Sequence, residues 1–79
     1  MTREEKADLE IKNATKEQEL IRRMFVVIIR SYFLDTKLSP YYLQSGIKRS
    51  LGDDIGNFVQ SKYPHWFYLQ KQKYQKMEQ

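Results

Sequence analysis

Residues 17–34 read EQELIRRMFVVIIRSYFL, and this stretch decides the fold of the chain. Its apolar residues recur at helical spacing on one broad face, which predicts an amphipathic helix over 17–34. Val26, Val27 and Ile29 widen that face, so we expect this helix to contact neighbours on more than one side. A strand is the alternative, since residues 25–29 are apolar and largely β-branched, but the apolar pattern runs well beyond strand length.

The segment before this helix has a helix start signal but little apolar surface. A Thr-Arg-Glu-Glu capping box at 2–5 predicts a helix start, and a second capping box at 15–18 predicts the start of the next helix. The residues between the two boxes are mostly polar. Residues 1–14 are therefore predicted to form a polar helix that depends on a partner. Residues 15–79 are predicted to form a single helical domain. The expected fold class is all-α, a small bundle of four to five helices with the 17–34 helix at its centre.

The second half of the chain carries further start and stop signals. Ser39 followed by proline predicts a helix start, and Gly52 is expected to end that helix in a left-handed cap. Asp53 is then expected to cap the next helix, which should end near Lys62. The end near Lys62 is expected because the residue before a proline is pushed out of the helical region. Pro64 is then expected to open the last helix.

Composition bounds the classes of function. There is no cysteine in 79 residues, which excludes disulfides and thiolate metal sites and favours a cytoplasmic setting. The longest apolar run covers residues 24–29 and is far shorter than the roughly 20 residues of a membrane span, so we expect no membrane partner. Residues 1–19 carry four basic and six acidic residues, a net charge of −2, whereas residues 20–79 carry ten and four, a net charge of +6. The positive net charge of residues 20–79 favours an anionic binding partner.

No constellation of residues in the sequence predicts catalysis or metal binding. His65 is the single histidine, and a metal site would need several converging ligands. Asp53 and Asp54 are interpreted as a helix cap and a first-turn charge rather than as paired catalytic carboxylates. We therefore predict a binding protein that is not an enzyme, with no cofactor and no small-molecule substrate.

Residues 39–62 are predicted to form two short capped helices joined at a glycine. Helix-turn-helix proteins place one such helix in the major groove of DNA. The outward-facing residues of the first helix could then contact bases and phosphates; they are Tyr41, Gln44, Ser45, Lys48 and Arg49. The alternative is that two adjacent short helices serve the fold alone, since they occur in most helical domains.

The same segment carries a pattern of residues that is found in a known family. The pattern consists of Ser39-Pro40-Tyr41-Tyr42-Leu43, Ile47-Lys48, Gly52, Ile55, Phe58 and Val59. In this order and spacing, residues 39–59 resemble the first helix-turn-helix reading segment of AraC-type transcription regulators. The resemblance covers about twenty residues and implies DNA binding.

The C-terminal segment from Tyr63 to Lys76 interleaves aromatic and basic residues. Such a mixture suits single-stranded nucleic acid, with rings stacked on bases and Lys71 and Lys73 on phosphates. Alternatively, the rings belong to the core and the lysines form a solvated face. A third interpretation is a protein interface, because Trp and Tyr are favoured there.

Two hypotheses of function follow from these patterns. The first is a small helical protein-interaction module, an inhibitor, adaptor or subunit of a larger assembly, of a phage or mobile element. Its expected interface residues are Leu9, Ile11, Val26, Val27, Trp66, Tyr68 and Tyr74. The alternative is a small DNA- or RNA-binding regulator that uses the 39–62 helix pair and the C-terminal helix. Both are compatible with a homodimer through the 17–34 helix.

Overall fold

The computed structural model describes residues 1–34 and 49–77, and both ranges are helical without any strand. The helices are α1 (Arg3–Lys12), α2 (Lys16–Leu34), α3 (Arg49–Lys62) and α4 (Pro64–Met77). The prediction of an all-α fold is confirmed for these residues. The helix predicted to start at Ser39 lies outside them. No helix in the described ranges is both long and apolar enough to cross a membrane.

Capping boxes open the first two helices, as their sequences predict. The Thr2 hydroxyl accepts from the Glu5 N–H at 3.2 Å, and the Glu5 carboxylate accepts in return from the Thr2 N–H. Thr15 and Gln18 make the same reciprocal pair at 3.2 and 3.0 Å. Each box satisfies first-turn donors that have no partner within the helix. The Thr15 cap lies in the short connection between α1 and α2.

An aromatic cluster lies at the centre of the core. The buried core residues come from α2, α3, α4 and the α3–α4 junction: Phe25, Ile28, Ile29, Ile55, Val59, Tyr63 and Phe67. The Phe25 ring is fully buried and meets the edges of Tyr32, Phe33 and Trp66 with centroids 5.2 to 6.1 Å apart. Aromatic pairs in such arrangements contribute about 0.5–1.5 kcal/mol beyond the area they bury. Phe25 therefore ties α2 to α4.

Helix α3 passes through Gly52 and Asp53 without a break, so the predicted helix end at Gly52 and the predicted cap at Asp53 are wrong. Gly52 and Gly56 are both buried and lie one turn apart on the same side of α3. A Cβ atom built on Gly56 would overlap with the ring of Tyr32 in α2. Glycine here permits a close approach of two helices and does not end one.

The junction of α3 and α4 matches its sequence signal. Helix α3 ends at Lys62, as predicted, and Pro64 opens α4 after one intervening residue. Tyr63 between them is fully buried, and its carbonyl accepts from the Phe67 N–H at 2.8 Å. Burial raises the pKa of Tyr63, and the nearby carboxylate of Glu19, close to the start of α2, raises it further. Gly56 of α3 meets Tyr32 near the end of α2, whereas Tyr63, just after α3, lies near Glu19 at the start of α2. Helices α2 and α3 are therefore antiparallel.

The molecule is flat. Its principal extents are 38 × 32 × 15 Å, with α1 packed on α4 and α2 packed mainly on α3. Part of the surface of α2 is nevertheless exposed to solvent.

Candidate interaction surface

The side of α2 that faces away from the core carries a stripe of exposed apolar side chains. Leu20, Met24 and Val27 are 51, 41 and 44% exposed. Residues four and three positions apart fall on one face of a helix, so the three side chains are neighbours. Val26 is also exposed, whereas Ile29 is buried in the core. Single exposed apolar residues are common, but a contiguous row on one helix is typical of a binding surface.

A row of basic side chains runs beside this stripe. Lys16, Arg23 and Arg30 are all exposed and recur every seven residues, which separates them by about 10 Å along the helix axis. Helical geometry places this row directly next to the apolar stripe. The stripe and the row together form the α2 outer face, which consists of six residues: Lys16, Leu20, Arg23, Met24, Val27 and Arg30.

The fourth cation of α2 is already engaged within the protein. Arg22 forms a salt bridge with Glu19 at 2.8 Å and makes further hydrogen bonds to the same carboxylate. Its guanidinium also lies 5.2 Å from the centre of the Trp66 ring. Arg22 therefore neutralises a neighbouring acid and covers an aromatic ring, while the cations of the α2 outer face point to solvent.

Helix α1 is held on α4 by a long-range cap. The Glu10 carboxylate accepts from the backbone N–H groups of His65, at 3.0 and 3.1 Å, and of Trp66, at 2.9 Å. These donors belong to the first turn of α4, where orphan N–H groups and the helix dipole favour an anion. Ala7 is the one residue of α1 that is buried as a core residue. Dependence of residues 1–14 on a partner stays a prediction.

Two further contacts settle the positions of predicted interface residues near α1. The Arg3 guanidinium lies 3.9 Å from the centre of the Tyr68 ring, which is partly exposed. Ile11 is partly buried against the core, whereas Leu9 is 39% exposed on the opposite side of α1. Of these predicted interface residues, Leu9 remains accessible and Tyr68 is partly covered by an internal cation.

The aromatic residues of α4 are largely used inside the protein. Trp66 and Tyr74 pack against the core, and Tyr74 stacks on Phe33 with ring centroids 5.9 Å apart. Tyr68 lies under Arg3. The rings that the sequence offered as stacking platforms for bases are thus occupied by contacts within the chain.

The predicted phosphate-binding lysines do not form one row. Lys71 and Lys73 are both exposed, but residues two positions apart on a helix do not share a face. Lys76, also exposed, lies on the same side as Lys73. Residues 64–77 contain no acidic residue, so α4 is a basic helix with its charge spread around it.

The remaining predicted nucleic-acid contacts lie outside the described part of the chain. They are Tyr41, Gln44, Ser45, Lys48 and the side chain of Arg49. The turn expected between two reading helices is not at Gly52, because α3 is continuous there. Within the described residues, no group of three or more His, Asp or Glu side chains converges as a metal site would require.

Comparison of the chain with protein-family models, with curated proteins and with solved structures found no match. The resemblance of residues 39–59 to AraC-type regulators accordingly stays a prediction. A function can be inferred from the α2 outer face and from the chemistry of its residues.

Proposed function

We propose that the protein is a helical interaction module that binds a helical segment of another protein on the α2 outer face. The exposed stripe of Leu20, Met24 and Val27 carries this proposal. Helix recognition uses anchors at spacings of three, four and seven residues, which is the spacing of this stripe. Such a module could serve as an inhibitor, an adaptor or a subunit of a larger assembly.

The exposed apolar side of α2 supports this function. A helical domain gains stability by covering the apolar face of each helix with another element. Helix α2 already covers one side with the core around Phe25, yet exposes a second apolar side. A bound helix would cover that side. Full burial of an exposed side chain of this size contributes roughly 1.5–3 kcal/mol. The three anchors are already about half-buried, so each would contribute less than this, which is consistent with moderate affinity.

Site-specific photo-crosslinking tests the proposal. A photoreactive amino acid at Val27 should give a discrete adduct in cells, whereas the same residue at the exposed Gln72 of α4 should not. The captured protein is then purified, and its affinity is measured for the wild type and for the triple variant L20Q/M24Q/V27Q. We expect at least a tenfold loss of affinity with an unchanged melting temperature.

A matched control uses two equally exposed apolar residues outside the α2 outer face. Leu9 and Leu51 are 39 and 45% exposed, so L9Q/L51Q removes a comparable apolar surface. This variant should retain the affinity of the wild type. Equal affinity of wild type and L20Q/M24Q/V27Q for the captured protein would exclude the α2 outer face as its binding site.

A nucleic-acid-binding regulator is the second candidate function, and the absence of acidic residues from 64–77 favours it. Fluorescence anisotropy with duplex and single-stranded DNA and RNA at several salt concentrations tests it. A steep salt dependence that weakens in K71E/K73E would support phosphate contacts by α4. No binding at low salt would reject this function.

A further inference from the structure

The α2 outer face has the residue spacing of one strand of a coiled coil. In a heptad labelled a to g, apolar residues occupy a and d, which are separated alternately by three and four positions. Leu20, Met24 and Val27 follow this spacing and occupy d, a and d. Glu17 stands at the preceding a position, so the apolar stripe begins at Leu20 and spans about one heptad.

The same register gives the basic row a defined place. Lys16, Arg23 and Arg30 all fall at g, the position that flanks the seam between two helices. The opposite flank, position e, is occupied by Ile21 and Ile28, which pack against and within the core of the molecule. A partner helix can therefore reach only one charged flank, and that flank carries three positive charges and no negative one.

We propose that the partner is an acidic heptad-repeat helix. Its apolar a and d residues would pack against Leu20, Met24 and Val27, and its Asp or Glu side chains, seven residues apart, would pair with the basic row. This inference rests on the proposed function and names the chemistry of the partner. Residues at e and g determine partner choice and orientation in coiled coils, so the charges select the partner while the apolar stripe provides the contact area.

The charge of the face argues against two other occupants. In a second copy paired antiparallel through the same face, the three cations of one chain would oppose those of the other, since g residues face each other in that arrangement. In a parallel pair, Lys16 would face Ile21 and Arg23 would face Ile28 of its neighbour, and neither isoleucine can pair with a cation. An anionic membrane would be attracted by the charge, but nothing in a lipid surface matches cations at a constant seven-residue spacing.

Two synthetic peptides of three heptads test the inference. Both carry leucine at a and d; one has glutamate at every e and g position and the other has lysine there, which covers parallel and antiparallel pairing. Titration of the full-length protein should show at least tenfold tighter binding of the glutamate peptide. The charge-reversal variant K16E/R23E/R30E should invert this preference, because it changes only exposed side chains of the α2 outer face.

The matched control reverses three exposed lysines outside that face. K62E/K71E/K73E changes the net charge of the protein by the same amount and should keep the preference for the glutamate peptide. A single variant, R23E, provides the same test if the triple variant does not fold. It should weaken binding of the glutamate peptide several-fold.

The outcomes separate this inference from the proposed function. Equal binding of both peptides would overturn the acidic partner while supporting a helix-binding face. Binding of neither peptide would overturn the heptad partner, and the crosslinking experiment at Val27 would still decide whether the face binds another protein. Binding to vesicles that contain phosphatidylserine, lost in K16E/R23E/R30E and without any peptide binding, would replace the acidic helix by a membrane surface.

Discussion

The α2–α3 interface and the α1–α4 interface hold their helices together by different means. Between α2 and α3, apolar side chains such as Ile28 and Val59 are fully buried, and Gly56 lets the backbone of α3 approach Tyr32. Between α1 and α4, the anchor is the Glu10 carboxylate on two backbone N–H groups. The first interface depends on shape and the second on directed polar contacts.

This difference has a consequence for how the molecule opens. Close packing tolerates little change in volume, so the α2–α3 interface should be lost only when the whole domain unfolds. An interface with little buried apolar surface opens at lower free energy. We therefore expect α1 to exchange its amide protons faster than α2 and α3.

The largest effect is expected at Gly56. An alanine there meets the Tyr32 ring, which contacts the rings of Phe25 and Phe33 and cannot move aside freely. Overpacking of this kind typically costs about 1–3 kcal/mol, partly offset by the higher helix propensity of alanine. We expect G56A to lower the free energy of unfolding by about 2 kcal/mol, measured by urea denaturation.

The neighbouring residue supplies the control for this prediction. Asn57 is exposed on the same helix, and N57A should change the stability by less than about 0.5 kcal/mol. If G56A were as stable as N57A, α2 and α3 would not be in close contact at this position. Close packing at Gly56 would then give no reason to rank the α2–α3 interface above the α1–α4 interface in stability.

A smaller effect is expected at Glu10. E10A removes the acceptor of the first-turn N–H groups of His65 and Trp66, and loss of a helix cap costs about 1 kcal/mol. The amides of these two residues and of α1 should exchange faster in E10A, while amides of α2 should change less. E4Q, which alters an exposed acid of the same helix, should leave both unchanged. Uniformly faster exchange across all helices would mean that α1 is integral to the core.

Local signals in the sequence predicted the starts of α1, α2 and α4 and the end of α3. The capping boxes at Thr2 and Thr15 and the proline at position 64 act within a few residues, and the structure has the helices begin where these signals place them. Gly52 carried the same type of local signal, but its role depends on a neighbouring helix. A glycine that ends a helix and a glycine that admits another helix look alike in sequence.

The candidate site was predicted only in part, because two patterns overlap in α2 and because one contact joins residues far apart in the sequence. Val26 and Val27 were expected at an interface, and both are exposed. The seven-residue spacing of Lys16, Arg23 and Arg30 was not recognised, because the apolar pattern of the buried side overlaps it in the same stretch. The Glu10 cap joins residues more than fifty positions apart, and neither end has a local signal for it.

A still smaller effect is expected at Arg3, the second contact between α1 and α4. Its guanidinium lies over the Tyr68 ring near the surface, where a cation–π contact contributes about 0.5–1 kcal/mol. R3A should therefore lower the stability by less than E10A does, and R3K should retain part of the contact. K6A, at an exposed lysine of α1, serves as control. A loss in R3A larger than in E10A would make the aromatic contact the main anchor of α1.

The last prediction concerns pH and has no effect at neutral pH. Burial raises the pKa of Tyr32 above its ordinary 10.0, and the charge of Asp53 raises it further. Burial also raises the pKa of Tyr63, where the charge of Glu19 adds to the shift and Arg22 opposes it. Both tyrosines border the α2–α3 interface.

A raised pKa in the folded state means that the neutral phenol is favoured there. The resulting stability is present below pH 10.0 and is lost as the pH rises through the folded-state pKa of each group. Y32F cannot ionise, so it should match the wild type near neutral pH and lose less stability in alkaline solution, as measured by urea unfolding at both pH values. An equal alkaline loss in Y32F would show that Tyr32 ionises without disturbing the α2–α3 interface, which would leave Gly56 as the main determinant of that contact.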